Sequence, residues 1–428
     1  MTTSLDSLKE KYYNQYKEEL FTYVVPFWIK NGFDKVNGGV INCLDREGKE
    51  FSTDKSVWMQ GRCAWMFSHL SNMFGENQEY LQFAKSCLEF SDKNCFDKDG
   101  RMYFKVTKEG KPLRKRRYWF SESFYIIACA EYYIATKEKI YLEKARKVYD
   151  LIYNIFTNPT SDPFKIFPKV YAETRQMKSL AEPMILLNVS SIMRKADEEN
   201  KEKYNKNIDH CLKEIKFHFF EYKKWLLENI GANNEYISDT ADGRIINPGH
   251  DLECSLFLLQ EAVYRNNDTG LITLAEKIFE NAINLGWDKK YEGIVYFKDA
   301  ENKPVEAYEH DMKLWWPHNE GIVAALYFYK ITGKQIYAEW FEKLTKYSFE
   351  HFSDREFGEW YGYLRRDGLP TEPPCKGCTY KGPFHVLRCL ASVIRIFDGK
   401  DFWIKGWKGM ILYIKFINYW CYYIISLI

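Results

Sequence analysis

Six apolar runs of helical length recur along the chain at nearly equal intervals. They begin near Arg62 (RCAWMFSHLSNMF), Glu122 (ESFYIIACAEYYIA), Pro183 (PMILLNVSSIM), His250 (HDLECSLFLLQEAV), His318 (HNEGIVAALYFY) and His385 (HVLRCLASVIRIF). Turn segments that join Gly to aromatic or apolar residues keep the same interval, at Gly38, Gly100, Gly231, Gly293 and Gly358, with spacings of 62, 131, 62 and 65 residues. The long spacing is twice the unit and holds a Pro-rich turn, TNPTSDPFKIFPK, near its midpoint. The period is about 65 residues, repeated six times. Between the apolar runs lie charged stretches such as LKEKYYNQYKEELFTYVV and YLEKARKVYDLIYNIF, with apolar residues at i, i+3, i+4 and i+7. Each repeat therefore reads as a helical hairpin. A helix that is apolar nearly all round must be covered on every side, and an open solenoid with a concave groove does not do this. The pattern predicts an all-α fold, a closed (α/α)6 barrel with the more apolar helices inside and short β-hairpins in the Gly-aromatic loops. The polar residues that open the inner helices then gather at one mouth. Residues 1–398 form this domain, and 399–428 stand apart as an atypical hydrophobic tail.

Composition narrows the partners. Apolar residues make up 46% of the 428, so the chain can bury a large core. Lys and Arg number 61 against 59 Asp and Glu, a formal net charge of +2, which supplies no field to select a polyanion. Nucleic acid is not an expected partner. The first twenty residues hold no apolar leader core and the eleven cysteines are scattered, which points to a reducing, cytoplasmic setting. Cys375 and Cys378 have C-x-x-C spacing but no second pair and no His at zinc-finger spacing, and read as structurally incidental. From Met410 the tail carries a single Lys and no other charge, a length that could just cross a bilayer behind Lys400, Lys405 and Lys408. Lys415, Asn418 and four Tyr interrupt it, so membrane contact is not expected.

The eight histidines separate by context. His69, His210, His218 and His351 sit in amphipathic helical text and read as core-edge or surface residues, and His310 lies in a charged, solvated stretch. His250, His318 and His385 follow turn-forming text (INPGH, WWPH, KGPFH) and open apolar helices, where the positive end of the helix dipole keeps an imidazole neutral and ready to act as a base. His250 with Glu253, and His385 with Arg388, are i and i+3 and share a helical face. His318 and Glu320 are two apart, so Glu320 faces the cavity only if His318 does not, or if the helix starts between them. Arg62, placed after VWMQG, could hold an oxyanion. Trp58, Trp315 and Trp316 offer flat apolar surface for the apolar face of a sugar, and equally for core packing. The basic run Lys111–Phe120 reads as a solvated loop. There is no P-loop, no dinucleotide fingerprint, no H-E-x-x-H and no nucleophile elbow, and nothing demands a metal.

Seven strings, VWMQGRCAWMF, RRYWFSESFY, AEPMILLNV, INPGHDLECSLFLL, DMKLWWPHNE, FGEWYGYLRRDG and YKGPFHVLRCLA, resemble in order and over about residues 10–395 the N-acylglucosamine 2-epimerase family, also described as renin-binding protein. The resemblance implies an (α/α)6 barrel and interconversion of N-acetyl-D-glucosamine and N-acetyl-D-mannosamine. The reaction is deprotonation and reprotonation at C2 of the open-chain sugar. It implies catalytic roles for His250, His385, Arg62 and Glu320, and substrate contacts from Glu253, Asn188, Trp316 and Arg388. It also implies no cofactor for the chemistry, an ATP or other nucleotide effector, and a homodimer. An aldose–ketose isomerase of the same fold, which delivers the proton to C1, and a non-catalytic renin-binding type of regulator are the alternatives. Leu387 stands where the family usually has Pro in its FHVPR string, and the tail after about residue 397 has no family counterpart.

Overall fold

The apolar runs form an inner ring and the charged stretches an outer one. A computed structural model describes residues 3–115, 118–163 and 172–400. The inner helices are Val57–Phe74, Phe120–Thr136, Ala181–Ala196, Pro248–Tyr264, Trp315–Thr332 and His385–Phe397. Five outer helices follow the first five, at Gln78–Asn94, Lys139–Thr157, Lys201–His218, Thr269–Gly286 and Gln335–His351. Burial follows the pattern of the sequence. In Trp315–Thr332 every residue from Trp315 to Tyr329 except Trp316 is buried. In Lys139–Thr157 only one stripe is covered, from Tyr141 to Ile155.

The sixth outer helix comes from the other end of the chain. Leu5–Glu18 runs through a π turn at Glu19–Val24 into Val25–Asn31, and this long helix packs on His385–Phe397. Tyr16 Oη lies 2.7 Å from Thr345 Oγ1, and Lys9 Nζ pairs with Asp398 at 3.3 Å. Inner neighbours are tied directly: His69 to Glu131 at 2.9 Å, Arg194 to Glu261 at 2.6 Å, and Arg395 Nη1 to the Met73 carbonyl at 3.2 Å across the closing seam. Where Val57–Phe74 crosses Phe120–Thr136, a Cβ on Gly61 would lie 2.6 Å from the Phe124 backbone, so only glycine allows this approach.

Short antiparallel strands link the loops at the amino ends of the inner helices. Lys55–Ser56 pairs with Lys105–Val106, Lys313–Leu314 with Tyr363–Leu364, and Leu44–Asp45 with Cys375–Gly377, which joins the first loop to the last. The hairpins expected of the Gly-aromatic loops are shorter still, closed by single antiparallel bridges at Phe33–Val40, Phe96–Met102, Trp287–Ile294 and Ser353–Trp360. Gly38, Gly100, Gly293 and Gly358 all take positive φ, from 72° to 82°. Gly231 does not belong with them. The equivalent hairpin pairs Phe219–Phe220 with Trp225–Leu226, where Lys224 takes the positive φ, and Gly231 pairs with Met177 instead.

A second repeated device holds these hairpins. The Asp that opens each one reaches a Lys in the strand or segment leading to the next inner helix: Asp34–Lys55 at 2.8 Å, Asp97–Lys115 at 2.7 Å, Asp288–Lys313 at 2.9 Å and Asp354–Lys376 at 3.0 Å. Lys55, Lys313 and Lys376 are buried; Arg366 together with Lys313 holds Asp288, and Arg46 together with Lys376 holds Asp354, below the usual carboxylate range despite burial. Removing one member of such a pair strands a buried charge, at a cost of about 3–5 kcal/mol. Among the described residues no helix is long and apolar enough to cross a membrane. The tail beyond Lys400, and Arg116 and Arg117 in the basic run, lie outside the described residues.

Candidate active site

A cavity of about 880 Å³ opens at the amino ends of the inner helices. Of the eight residues singled out from sequence, seven line it: Arg62, Asn188, His250, Glu253, Trp316, His385 and Arg388. Trp58 and Trp315 line it as well. Glu320 stands just behind, with Glu122 and His318 turned away from the cavity altogether.

The NPGH string positions His250 residue by residue. The Asn247 side chain caps the helix, accepting from the Gly249 and His250 amides at 3.1 and 3.2 Å, and Pro248 supplies a first helical residue that needs no amide partner. A Cβ on Gly249 would lie 2.5 Å from the Trp316 ring, so glycine lets the Trp seat itself there. Trp316 then lies between the two histidines, its ring centroid 5.3 Å from that of His250 and 6.1 Å from that of His385.

Both histidines donate Nδ1–H to a carboxylate at 2.7 Å, His250 to Glu228 and His385 to Glu320, which leaves each Nε2 for the cavity. Their acidities nevertheless diverge. Burial lowers His385, and the guanidinium groups of Arg62 and Arg388 lower it further, so it sits well below an ordinary histidine. Glu320 offers little compensation because its charge is already shared with Arg388 Nη2, which hydrogen-bonds the same oxygen. Burial also lowers His250, but the Glu228 carboxylate, helped by Glu253, more than offsets it and leaves His250 above its ordinary value. The helix amino terminus alone led to the expectation that both would be held neutral. That holds for His385 and fails for His250, because a full charge at 2.7 Å outweighs the half charge of a helix end. Glu228, the residue responsible, was not singled out from sequence.

Arg62 lies a turn and a half inside its helix, which starts at Val57. Its guanidinium rests 4.1 Å from the Phe124 ring centroid and 4.9 Å from that of Phe384. Nη1 reaches the Tyr380 carbonyl at 3.4 Å, and buried Nε has no partner among the described residues. Burial lowers its pKa to about 10, so it stays charged and under-solvated beside the cavity. Such a cation favours a developing oxyanion.

The polar residues at the helix openings divide into two sets. Glu122 accepts the Met102 amide at 2.8 Å and His318 Nε2 accepts that of Ile294 at 2.9 Å, so both bind the hairpin of their own repeat. His318 donates Nδ1–H to the Leu314 carbonyl, and burial lowers it to about 3. With His318 turned outward, Glu320 faces inward. Glu253, Glu320 and His385 bring ligand atoms within 4.8 Å of one another. Arg388 Nη2 bonds Glu320 and lies 3.5 Å from Glu253, so a guanidinium already supplies the positive charge between those carboxylates.

Residues 39–389 match the family model described as N-acylglucosamine 2-epimerase. Among curated proteins the chain is 34% identical over 377 residues to an N-acylglucosamine 2-epimerase from Rattus norvegicus, covering 87% of this chain and 89% of the relative. It is likewise 34% identical over 372 residues to one from Homo sapiens, covering 86% of each. Among solved structures, a cellobiose 2-epimerase from Bacillus thermoamylovorans superposes with a TM-score of 0.78 at 23% identity, over 90% of this chain and all of that one. A D-mannose isomerase gives 0.77 at 17% identity, over 90% of this chain and 98% of that one. These two establish the (α/α)6 barrel alone. The family model, and curated relatives matched over nearly their whole length, show that this chain belongs to the N-acylglucosamine 2-epimerase family.

Proposed function

We propose that this protein interconverts N-acetyl-D-glucosamine and N-acetyl-D-mannosamine by moving a proton from one face of C2 to the other. In the open-chain aldehyde the C2 proton is α to a carbonyl, and its removal leaves a 2-acetamido enolate with charge on O1. Neutral His385 takes the proton through Nε2, Arg62 holds the oxyanion, and protonated His250 returns a proton from Nε2 to the opposite face. No net proton is gained or lost by the sugar. In the reverse direction the histidines exchange roles. Glu320 and Glu228 act through the histidines they hold, Arg388 through Glu320 and Glu253, and Trp316 offers its face to the sugar chain beside Asn188.

The observation that carries this reading is the split between the histidines. Two imidazoles flank one Trp with the same carboxylate contact, and their surroundings push one down and the other up. Such a pair supplies a base and an acid at the same pH. The names of the curated relatives supply the substrate. The test is to incubate each pure epimer in deuterated water. Formation of the other epimer with deuterium at C2 and no ketose is expected. A ketose product would reassign the protein as an aldose–ketose isomerase, and inactivity on every 2-acetamido sugar would overturn the enzymatic reading in favour of a regulatory binding protein.

Other parts of the reading rest on family resemblance and cysteine usage. No cofactor takes part in the chemistry, a nucleotide such as ATP acts as an effector, and the protein works as a homodimer in the cytoplasm. Light scattering with and without ATP, run beside the activity assay, tests the dimer and the effector together. A monomer whose rate ignores nucleotide would remove both.

A further inference from the structure

The C-x-x-C pair lies against the cavity wall. The Cys375 carbonyl, at the start of the strand Cys375–Gly377, accepts the Gly362 amide, and the Cys378 amide donates to the Lys381 carbonyl, closing a turn that carries Tyr380. Of the ten cysteines in the described residues eight are buried, and Cys375 and Cys378 are the two that are partly exposed. They stand three residues apart on one turn, each sulfur within electrostatic reach of the other. Cys378 Sγ also lies 3.3 Å from the Tyr363 hydroxyl and accepts the Tyr380 amide at 3.4 Å. Donors thus converge on one sulfur, which favours its thiolate. The Cys375 thiol above all, with Tyr363 and the backbone, outweighs burial and lowers Cys378 to about 6. Both tyrosines that hold this sulfur line the cavity, and the Tyr380 carbonyl accepts Arg62 Nη1.

We propose that Cys375 and Cys378 form a thiol–disulfide redox site in the wall of the cavity, oxidised by hydroperoxides and felt at Arg62. The Cys378 thiolate attacks the peroxide oxygen, breaks the O–O bond and becomes a sulfenic acid as water leaves. The Cys375 sulfur then attacks the sulfenic sulfur, closing the S–S bond and releasing a second water. Two thiols and one peroxide become one disulfide and two waters, and an external dithiol reverses the change. Closing the sulfurs to about 2.05 Å draws Cys378 from Tyr363 and the Tyr380 amide, and shifts the carbonyl that holds Arg62. A misplacement of about 1 Å costs up to about 10²-fold in rate.

The test treats the purified full-length protein with stoichiometric hydrogen peroxide, blocks free thiols by alkylation and maps the peptides by mass. The expected result is an internal disulfide across 375–378, with about 10- to 100-fold less activity that dithiothreitol restores. Cys375→Ser and Cys378→Ser should each keep basal activity and lose the response. Finding both thiols alkylated after peroxide, a Cys43–Cys378 bridge, a disulfide with unchanged activity, or equal inhibition in both Ser variants would each overturn the proposal. The mass readout needs no substrate, so a wrong sugar assignment and a wrong redox assignment give different results.

Discussion

Glu228→Gln isolates the charge that sets His250 apart. The amide keeps the shape of the carboxylate and an acceptor for Nδ1–H at 2.7 Å, so His250 retains its orientation and loses only the anion. Two unit charges at that separation, at an effective dielectric of about 20, attract by about 6 kcal/mol. The helix amino terminus opposes the imidazolium by at most about 2 kcal/mol. Without Glu228, burial and the helix end pull His250 downward against Glu253 alone, and it falls below an ordinary histidine. In the wild type the acidic limb of kcat/KM belongs to His385, which must be neutral, and the basic limb to His250, which must be protonated. The variant should move the basic limb toward acid and leave the acidic limb in place. Each pH unit of that movement removes a factor of about ten from the protonated acid, so at pH 8 the loss should reach at least about tenfold while the rate near the acidic limb is largely kept. Stability follows the same sign. A histidine raised in the fold stabilises it below the unfolded pKa, and this contribution disappears as pH rises through the folded value. Glu228→Gln should therefore lower the melting temperature at pH 5.5 more than at pH 8.5. A basic limb that stays where it was, or a loss uniform across pH, would refute the assignment of His250 as the acid.

Arg62→Ala should slow epimerisation about 10²–10³-fold and equally in both directions, as loss of a donor to the common enolate requires; a one-directional defect in initial rates from each epimer would contradict this role. Glu320→Gln leaves buried Arg388 with only Glu253 at 3.5 Å, so it should cost about 3–5 kcal/mol in urea unfolding together with up to about 10⁴-fold in rate through His385. Stability loss with a near-normal rate would make Glu320 purely structural. Asp288→Asn, far from the chemistry, should cost about 3–5 kcal/mol, and adding Lys313→Met should recover part of it, since no buried cation then remains at that position. A double variant no better than the single would show that the pair is not the source of the loss.

The ring architecture was legible because it follows from spacing alone: a helix such as WWPHNEGIVAALYFYKIT has no polar face to give to water. The histidines of NPGH and KGPFH were legible because caps and turns are local. Glu228 was not, because it lies 22 residues before His250 in a loop whose only link to the histidine is spatial. The inward turn of Glu320 was open in the sequence and decided by His318, whose two ring nitrogens are satisfied by Leu314 and Ile294. The Asp–Lys braces left a visible trace in FDK, FDK, WDK and SDR after the outer helices, but the partner lysines lie 18 to 25 residues further on, too far for a local motif. Gly231 shows the opposite error, a glycine at the right interval that serves a different strand pair.

The helix 5–31 is synthesised long before the segments it packs against. Its partners, Thr345, Glu359 and Asp398, lie more than 320 residues away, so on the ribosome they do not yet exist when it emerges. At about 5–20 residues per second, roughly 20–70 s pass before His385–Phe397 is made. Throughout that time Leu8, Tyr12, Tyr16 and Leu20 stay without their final cover while five hairpins form behind them. The nascent chain therefore carries an exposed apolar stripe for as long as the five hairpins take to be made, a feature that chaperones can recognise, and the barrel becomes one cooperative body only when helix 5–31 meets His385–Phe397.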